Sequence, residues 1–294
     1  MSEPELVTFD ADGNELAGHL YRPDGDGPWP AVVVSGSWLT VKEQMAGLHA
    51  RALAEYGYVA LAFDFTGTGA SQGQPRDTES AALKTRDLQH AISFLARRSD
   101  VRADRIGALG ICASAGYAAD SAAADSRVRS LALVAPWLHD AELVEVIYGG
   151  KEGVDERMAA GEAARLRYEA TDEVEYVPAV SRTDPTAAMY GPFEYYLDPE
   201  RGAVPQWPNK FAVMAWPEWL TYSAIPTAPA LRVPTLLVHS EDGAIPDGAR
   251  RFHAGLTAPS EFVWLTGDQM AFYDDEKLVA EALEHVVLHF RATL

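Results

Sequence analysis

Arg105-Ile106-Gly107-Ala108-Leu109-Gly110-Ile111-Cys112-Ala113-Ser114-Ala115-Gly116-Tyr117 is the most informative stretch of this chain. An apolar run stops at Gly110 and a run of small, helix-forming residues begins almost at once. A strand that passes into a helix with so little loop makes a nucleophile elbow, usually written G-x-S-x-G. The turn strains the residue at its tip, so the neighbours two positions before and after must be small. Around Cys112 they are Gly110 and Ser114; around Ser114 they are Cys112 and Gly116. The end of the strand at Gly110 favours Cys112 on the turn and puts Ser114 in the helix. A thiol suits the position, because the positive end of a helix is expected to lower its pKa. The plainer reading of a lone cysteine, a small buried filler, competes with this one.

On either side, strand-like and helix-like segments alternate. Residues 5–10 and 15–22 read as strands joined by the turn Ala11-Asp12-Gly13-Asn14. Residues 31–35, 59–63, 105–109 and 130–135 are short apolar runs of the kind buried on both faces of a sheet. Residues 40–56, 78–98 and 112–124 read as helices, the first opened by a capping box of Thr40 and Glu43. After residue 229 come a strand at 235–239, a helix at 247–256, a strand at 261–265 and a helix at 275–292. The expected fold is α/β, a mostly parallel sheet flanked by helices.

Residues 137–229 break the pattern: they hold 13 of the 29 aromatics and 9 of the 18 prolines. They read as a cap inserted after the sixth strand, helical at 140–147 and 155–169. The α/β core is then discontinuous, residues 1–136 and 230–294. Ligands in such sheets bind at the carboxyl ends of the strands, so the cap would roof the site. His139, Tyr190, Trp216 and Trp219 are the candidates for substrate contact.

Composition narrows the functions. The 294 residues carry a net charge of −19, which opposes binding to nucleic acid or to anionic membrane surfaces. No apolar run approaches the ~20 residues of a membrane helix. One cysteine forms no internal disulfide and residues 1–10 lack a signal-peptide pattern, so a cytoplasmic setting is expected. No metal-ligand set and no nucleotide fingerprint stands out, so no cofactor is expected. Thr66-Gly67-Thr68-Gly69 lacks the lysine of a P-loop. The partner to expect is a hydrophobic small molecule, and exposed cap aromatics would favour a homo-oligomer.

Val41-Lys42-Glu43-Gln44-Met45, Asp64 with its Gly-rich loop, Gly110 to Tyr117, and His239-Ser240-Glu241-Asp242 ahead of Pro246 together resemble the α/β-hydrolase superfamily. They are similar to its dienelactone-hydrolase-like branch, which has cysteine at the elbow. The resemblance implies Cys112 as nucleophile and Asp242 as the acid. It implies an oxyanion hole from the amide of Ala113 and that of Ser37 or Trp38. It also implies a histidine where Gln269 stands. An amide neither takes nor gives a proton near neutral pH, so Gln269 could orient a group, beside Asp242, but not serve as a base. Of the eight histidines, His139 at the start of the cap is the candidate substitute.

Three readings follow. The first is a hydrolase acting on an ester, lactone or thioester of a hydrophobic small molecule through Cys112. The second keeps the pocket but not the hydrolysis: a cyclase, isomerase, lyase or acyl transferase. The third is a non-catalytic binding protein. Fold alone does not choose among them.

Overall fold

The computed structural model describes residues 3–294. Strands β1 (Glu5–Ala11), β2 (Asn14–Tyr21), β3 (Trp29–Ser35), β4 (Val59–Phe63), β5 (Val101–Ile111), β6 (Val128–Val134), β7 (Thr235–Ser240) and β8 (Ser260–Leu265) form one sheet. Its order is β1-β2-β4-β3-β5-β6-β7-β8. β2 runs antiparallel to both of its neighbours, and every other pairing is parallel. The residue types dictate this arrangement. All five residues of β4 are buried, as a strand covered on both faces requires. β1 alternates exposed and buried positions, as an edge strand with one wet face does.

Helices α1 (Met45–Glu55), α2 (Ala81–Ala96) and α3 (Ser114–Ala124) link the first strands. α2 packs on α3, and α1 packs on the C-terminal helix. Between β6 and β7 lies the insertion. It carries α4 (Ala141–Ile147), α5 (Gly150–Thr171) and α6 (Trp216–Thr221), with two short strand pairs. α7 (Pro246–Gly255) and α8 (Glu276–Thr293) complete the core. No helix among the described residues is long and apolar enough to cross a membrane.

The insertion is moored to the core by directed bonds. Asp120 on α3 accepts from the hydroxyls of Tyr222 and Thr227, at 2.7 and 2.5 Å. The Ser80 hydroxyl donates to Glu218 at 2.6 Å. The Trp207 indole donates to the Leu39 carbonyl at 2.9 Å.

Several boundaries differ from expectation for local reasons. Helix α1 starts at Met45, not near Thr40, and the capping box does not form. The Thr40 hydroxyl turns back to the Ser37 carbonyl at 2.7 Å, and Glu43 faces Lys42 Nζ at 2.8 Å. Residues 37–44 are thereby freed to be a loop over the strand ends. Helix α2 starts later than residue 78, because Ser80 caps it by accepting the Leu83 N–H. α5 is longer than 155–169 at both ends and buries only Gly161 and Ala164. The Gly-rich loop after β4 is structural: a Cβ at Gly69 would lie 2.2 Å from a carboxylate oxygen of buried Asp64. That carboxylate is held by the Lys42 ammonium at 2.7 Å and by the amides of Lys42 and Ala70, each at 2.8 Å.

Candidate active site

β5 delivers Cys112 to the carboxyl edge of the sheet, and the turn into α3 is as sharp as the sequence required. Cys112 has φ 55°, a conformation that a non-glycine residue keeps only when its surroundings impose it. Its N–H donates to Val134 O at 3.1 Å, and its carbonyl accepts from Trp137 N–H at 2.9 Å and Ala115 N–H at 3.1 Å. Gly110 permits the turn. A Cβ there would lie 2.6 Å from Ser114 O and 2.7 Å from Ala115 Cα. Ser114 is the first residue of α3, fully buried, with its hydroxyl unpartnered among the described residues.

Cys112 opens on a cavity of about 560 Å³ at the junction of core and cap. Its wall includes Ser37, Trp38, Tyr148, Tyr190, Phe193, Tyr196, Trp219, Gln269 and Tyr273. The helix N-terminus does not make this thiol acidic. Burial raises the Cys112 pKa above the ordinary value. The hydroxyls of Ser37 and Tyr273 and the amides of Ala113 and Trp38 pull it part of the way back. Those two amides therefore lie near enough to the sulfur to favour its charged form. The Ser37 amide does not, because it is turned to the Met45 sulfur at 3.5 Å.

A raised thiol pKa carries a kinetic signature. Alkylation of Cys112 by iodoacetamide should run slower than that of a free thiol at about pH 8, because less thiolate is present. The rate should still be climbing above about pH 9, where a free thiol is levelling off. A pH series read by mass spectrometry checks this, and a plateau at or below the free-thiol midpoint would contradict it.

Gln269 lies in the cavity wall, and its amide is fully committed. Its Nε2 donates to Ala135 O and to the Tyr273 hydroxyl, both at 2.9 Å, and its Oε1 accepts from Ala244 N–H at 2.9 Å. It ties the end of β6, the loop after β7 and the short helix Ala271–Asp274 together. Gln269 makes no hydrogen bond to Asp242, since both amide hydrogens are used elsewhere. Asp242 stands exposed on the cavity wall.

Beside Ser37, the hydroxyl that neighbours the sulfur is that of Tyr273, one turn beyond Gln269. Its hydroxyl accepts from Gln269, faces Cys112 and lies 3.5 Å from the Ser37 hydroxyl. Ser37 in turn lies 2.8 Å from the Tyr196 hydroxyl. Burial first, then the neighbouring Cys112, push the Tyr273 pKa well above the usual phenol value. The sulfur thus sits among neutral hydroxyls rather than beside an imidazole. Sequence reasoning missed Tyr273, although its i, i+4 spacing from Gln269 was readable.

His139 is not a substitute base. Its Nδ1 accepts from the Trp137 indole and its Nε2 donates to Trp219 O, both at 2.9 Å. Burial pushes its pKa down to about 4, so it is a neutral strut between two tryptophans. It is absent from the cavity wall. Trp216 is also behind the wall, packed on Trp38, Phe211 and Tyr148. Tyr190 and Trp219 do line the cavity. His239 stays at the end of β7, its Nε2 donating to Ala244 O at 3.0 Å.

Behind the loop that carries Trp38 lies a buried cluster. Glu79 accepts from Lys84 Nζ at 2.7 and 2.8 Å, from the Tyr117 hydroxyl at 2.6 Å and from Leu39 N–H at 3.1 Å. One carboxylate thus joins the loop after β3 to the helix after the elbow, the two segments whose amides face Cys112. Leu39 itself is at φ 56°, so the loop is held in a strained form.

The strand order, the elbow after β5 and the insertion after β6 are those of an α/β hydrolase. Solved structures of related shape agree: PA2218 of Pseudomonas aeruginosa superposes with TM-score 0.86 at 26% identity, covering 99% of this chain and 94% of that one. The α/β hydrolase GrgF of a Penicillium species superposes at 0.77 and 22%, covering 99% and 100%. Residues 12–210, more than half of the sequence, match the family described as X-Pro dipeptidyl-peptidase (S15 family), and the chain belongs to that family. In sequence, PA2218 is 42% identical over 132 residues, 44% of this chain and 36% of that protein. GrgF, named a polyketide transferase, is 30% identical over 135 residues, 46% of this chain and 45% of its own length. The thiohydrolase aneE of Aspergillus aculeatus is 28% identical over 181 residues, 62% of this chain and 56% of its own. These sequence matches each span less than two thirds of the relative.

Proposed function

We propose that this chain moves acyl groups through Cys112, taking them from an ester, lactone or thioester of a hydrophobic small molecule. The observation that carries the reading is the strained Cys112 whose sulfur faces two backbone amides at the edge of an aromatic cavity. A dienelactone-hydrolase-like placing of cysteine at the elbow is part of it. The sulfur attacks the carbonyl carbon, and the amides of Trp38 and Ala113 take the charge that develops on the carbonyl oxygen. Such preorganised donors are usually the largest catalytic term. The Tyr273 hydroxyl receives the thiol proton while passing its own to the departing oxygen or sulfur, which leaves an acyl–Cys112 thioester. In the second half an acceptor O–H or S–H attacks that thioester, and its proton returns to Cys112 through the same hydroxyl.

The identity of the acceptor separates hydrolysis from transfer. Water needs a general base to attack well, a role worth about 10²–10⁴-fold. The protein groups nearest the sulfur are neutral hydroxyls, and Gln269 is committed to structure. This favours the non-hydrolytic reading, with a better nucleophile than water as acceptor. Peptide bonds fit least, because the departing amine needs a proton from an acid such as imidazole. Relatives named as a thiohydrolase and a polyketide transferase fit either fate of the acyl group. A non-catalytic role leaves the strain at Cys112 unexplained. The reading suits a reducing compartment, where the one cysteine stays a thiol.

The test uses p-nitrophenyl octanoate and an octanethioate of N-acetylcysteamine, with and without an added thiol acceptor. Up to one equivalent of p-nitrophenolate should appear quickly, with the acyl group found on Cys112 by mass spectrometry. Further turnover should then depend on the acceptor. Tyr273→Phe should slow acylation by about 10²-fold, the lower end of a proton-transfer contribution. No acylation of Cys112 would sink the proposal, and fast turnover in water alone would restore the hydrolase reading.

A further inference from the structure

The cavity wall carries one cation, Arg157 on α5, and two carboxylates, Asp242 and Asp268. The carboxylates belong to the core, on the loops after β7 and β8, while the cation comes from the cap. The charged groups of the wall thus come from both parts of the molecule, and most of the remaining wall is apolar or aromatic.

Arg157 is unusual in this acidic chain. On the same helix Arg165 is flanked by Glu162 and Glu169 and pairs with both. The positions three and four residues from Arg157 are Gly153, Val154, Ala160 and Gly161, none of which can pair with it. No carboxylate lies within ion-pair distance of its guanidinium among the described residues. Its Nη1 donates to Tyr148 O at 3.2 Å and Gly153 O at 2.9 Å. Nη2 and Nε have no acceptor among the described residues. The guanidinium is pinned over two rings, 5.2 Å from the centroid of Tyr148 and 5.5 Å from that of Trp216. Stacking of this kind fixes the plane of the fork and leaves its free N–H groups preorganised for an oxyanion.

The glycines support the placement. A Cβ at Gly153 would lie 1.9 Å from Tyr148 O, and one at Gly161 would lie 2.4 Å from Pro217 Cδ. They let α5 pack closely on Tyr148, a cavity-wall residue, and on Pro217 of α6, and they also deprive Arg157 of longer neighbours.

We infer that Arg157 anchors an anionic group, carboxylate or phosphate, on the substrate of the Cys112 site. This deepens the acyl-transfer reading and rests on it: the substrate has an apolar middle with a negative group directed to the cap and away from Asp242 and Asp268. The negative group belongs either to the acyl chain or to the leaving thiol.

Three probes separate these sources: the N-acetylcysteamine thioester of octanoate, the corresponding monothioester of suberate, and octanoyl-coenzyme A. Binding is read by quenching of tryptophan fluorescence in the Cys112→Ala protein, where no acyl transfer can occur. At least one anionic probe should bind about ten-fold tighter than the neutral one, the worth of one charge-assisted contact. Tighter suberyl binding assigns the anion to the acyl chain, and tighter coenzyme A binding assigns it to the leaving thiol. Adding Arg157→Gln should bring the ratio of anionic to neutral affinity to about one, and Arg157→Lys should keep part of it. Equal binding of all three probes overturns the inference without any need for a variant, as does a ratio that survives Arg157→Gln. Turnover by the wild type is scored separately. Discrimination without turnover removes the acyl-transfer reading and keeps the anion site; turnover without discrimination does the reverse.

Discussion

Cys112→Ala should lower kcat/KM for acyl transfer by at least about 10³-fold, the scale of losing a nucleophile, while Ser114→Ala should stay within a few-fold of wild type. Cys112 is the strained residue on the cavity, whereas Ser114 is sealed inside the start of α3. Cys112→Ser should be nearly as inactive as Cys112→Ala. A serine hydroxyl is a useful nucleophile only with a base beside it, and the nearest protein groups are the hydroxyls of Ser37 and Tyr273. Steady-state rates on a thioester with a thiol acceptor check all three variants. Activity that follows Ser114 would move the nucleophile by half a helical turn, and an active Cys112→Ser would reveal a base at work, for which the wall carboxylates Asp242 and Asp268 would be the candidates.

The largest effect on stability should come from Glu79→Gln. It leaves the Lys84 ammonium buried without its counter-charge, and breaking a buried pair from one side costs about 3–5 kcal/mol. At roughly 2–4 °C per kcal/mol for a large domain, melting should fall by about 6–20 °C. The variant also weakens the hold on Leu39 N–H, so kcat should fall more than the affinity for apolar ligands. Replacing both partners, Glu79→Gln with Lys84→Met, should recover much of the melting temperature but not the rate. Calorimetry and kinetics on the same samples separate the two losses. An unchanged melting temperature for the single variant would show that the ion pair does not hold this region.

Much of the fold could be read because its signals are local. The runs at 31–35, 59–63 and 130–135 are apolar throughout, and only a strand covered on both faces tolerates that. The elbow was legible because close approach of α3 to β5 demands a glycine at 110, and steric demands of this sort leave a mark in sequence. Trp38, Ala113 and Gln269 were placed by resemblance, and the structure brings all three to Cys112 or to the cavity wall. What escaped was decided by tertiary context. His139 looked available until its two nitrogens were taken by Trp137 and Trp219. Trp216 looked like a wall residue but packs behind Arg157. The acidity expected of Cys112 from the helix terminus was overruled by desolvation. Tyr273 lies between the strand expected at 261–265 and the helix expected at 275–292, Arg157 lies in the helix expected at 155–169, and nothing in the order of residues says that either turns inward.

Leu39 is clasped on both sides: its amide is held by Glu79 of the core, and its carbonyl by Trp207 of the insertion. The neighbouring residue supplies one of the two amides that face the sulfur. In the proposed reaction, the insertion that roofs the cavity is thus mechanically joined to an amide that takes the developing charge. On that reading, exchanging the whole insertion should disturb the rate as well as the substrate choice. New substrates would be reached more readily by altering single wall residues such as Tyr190 than by replacing the insertion whole.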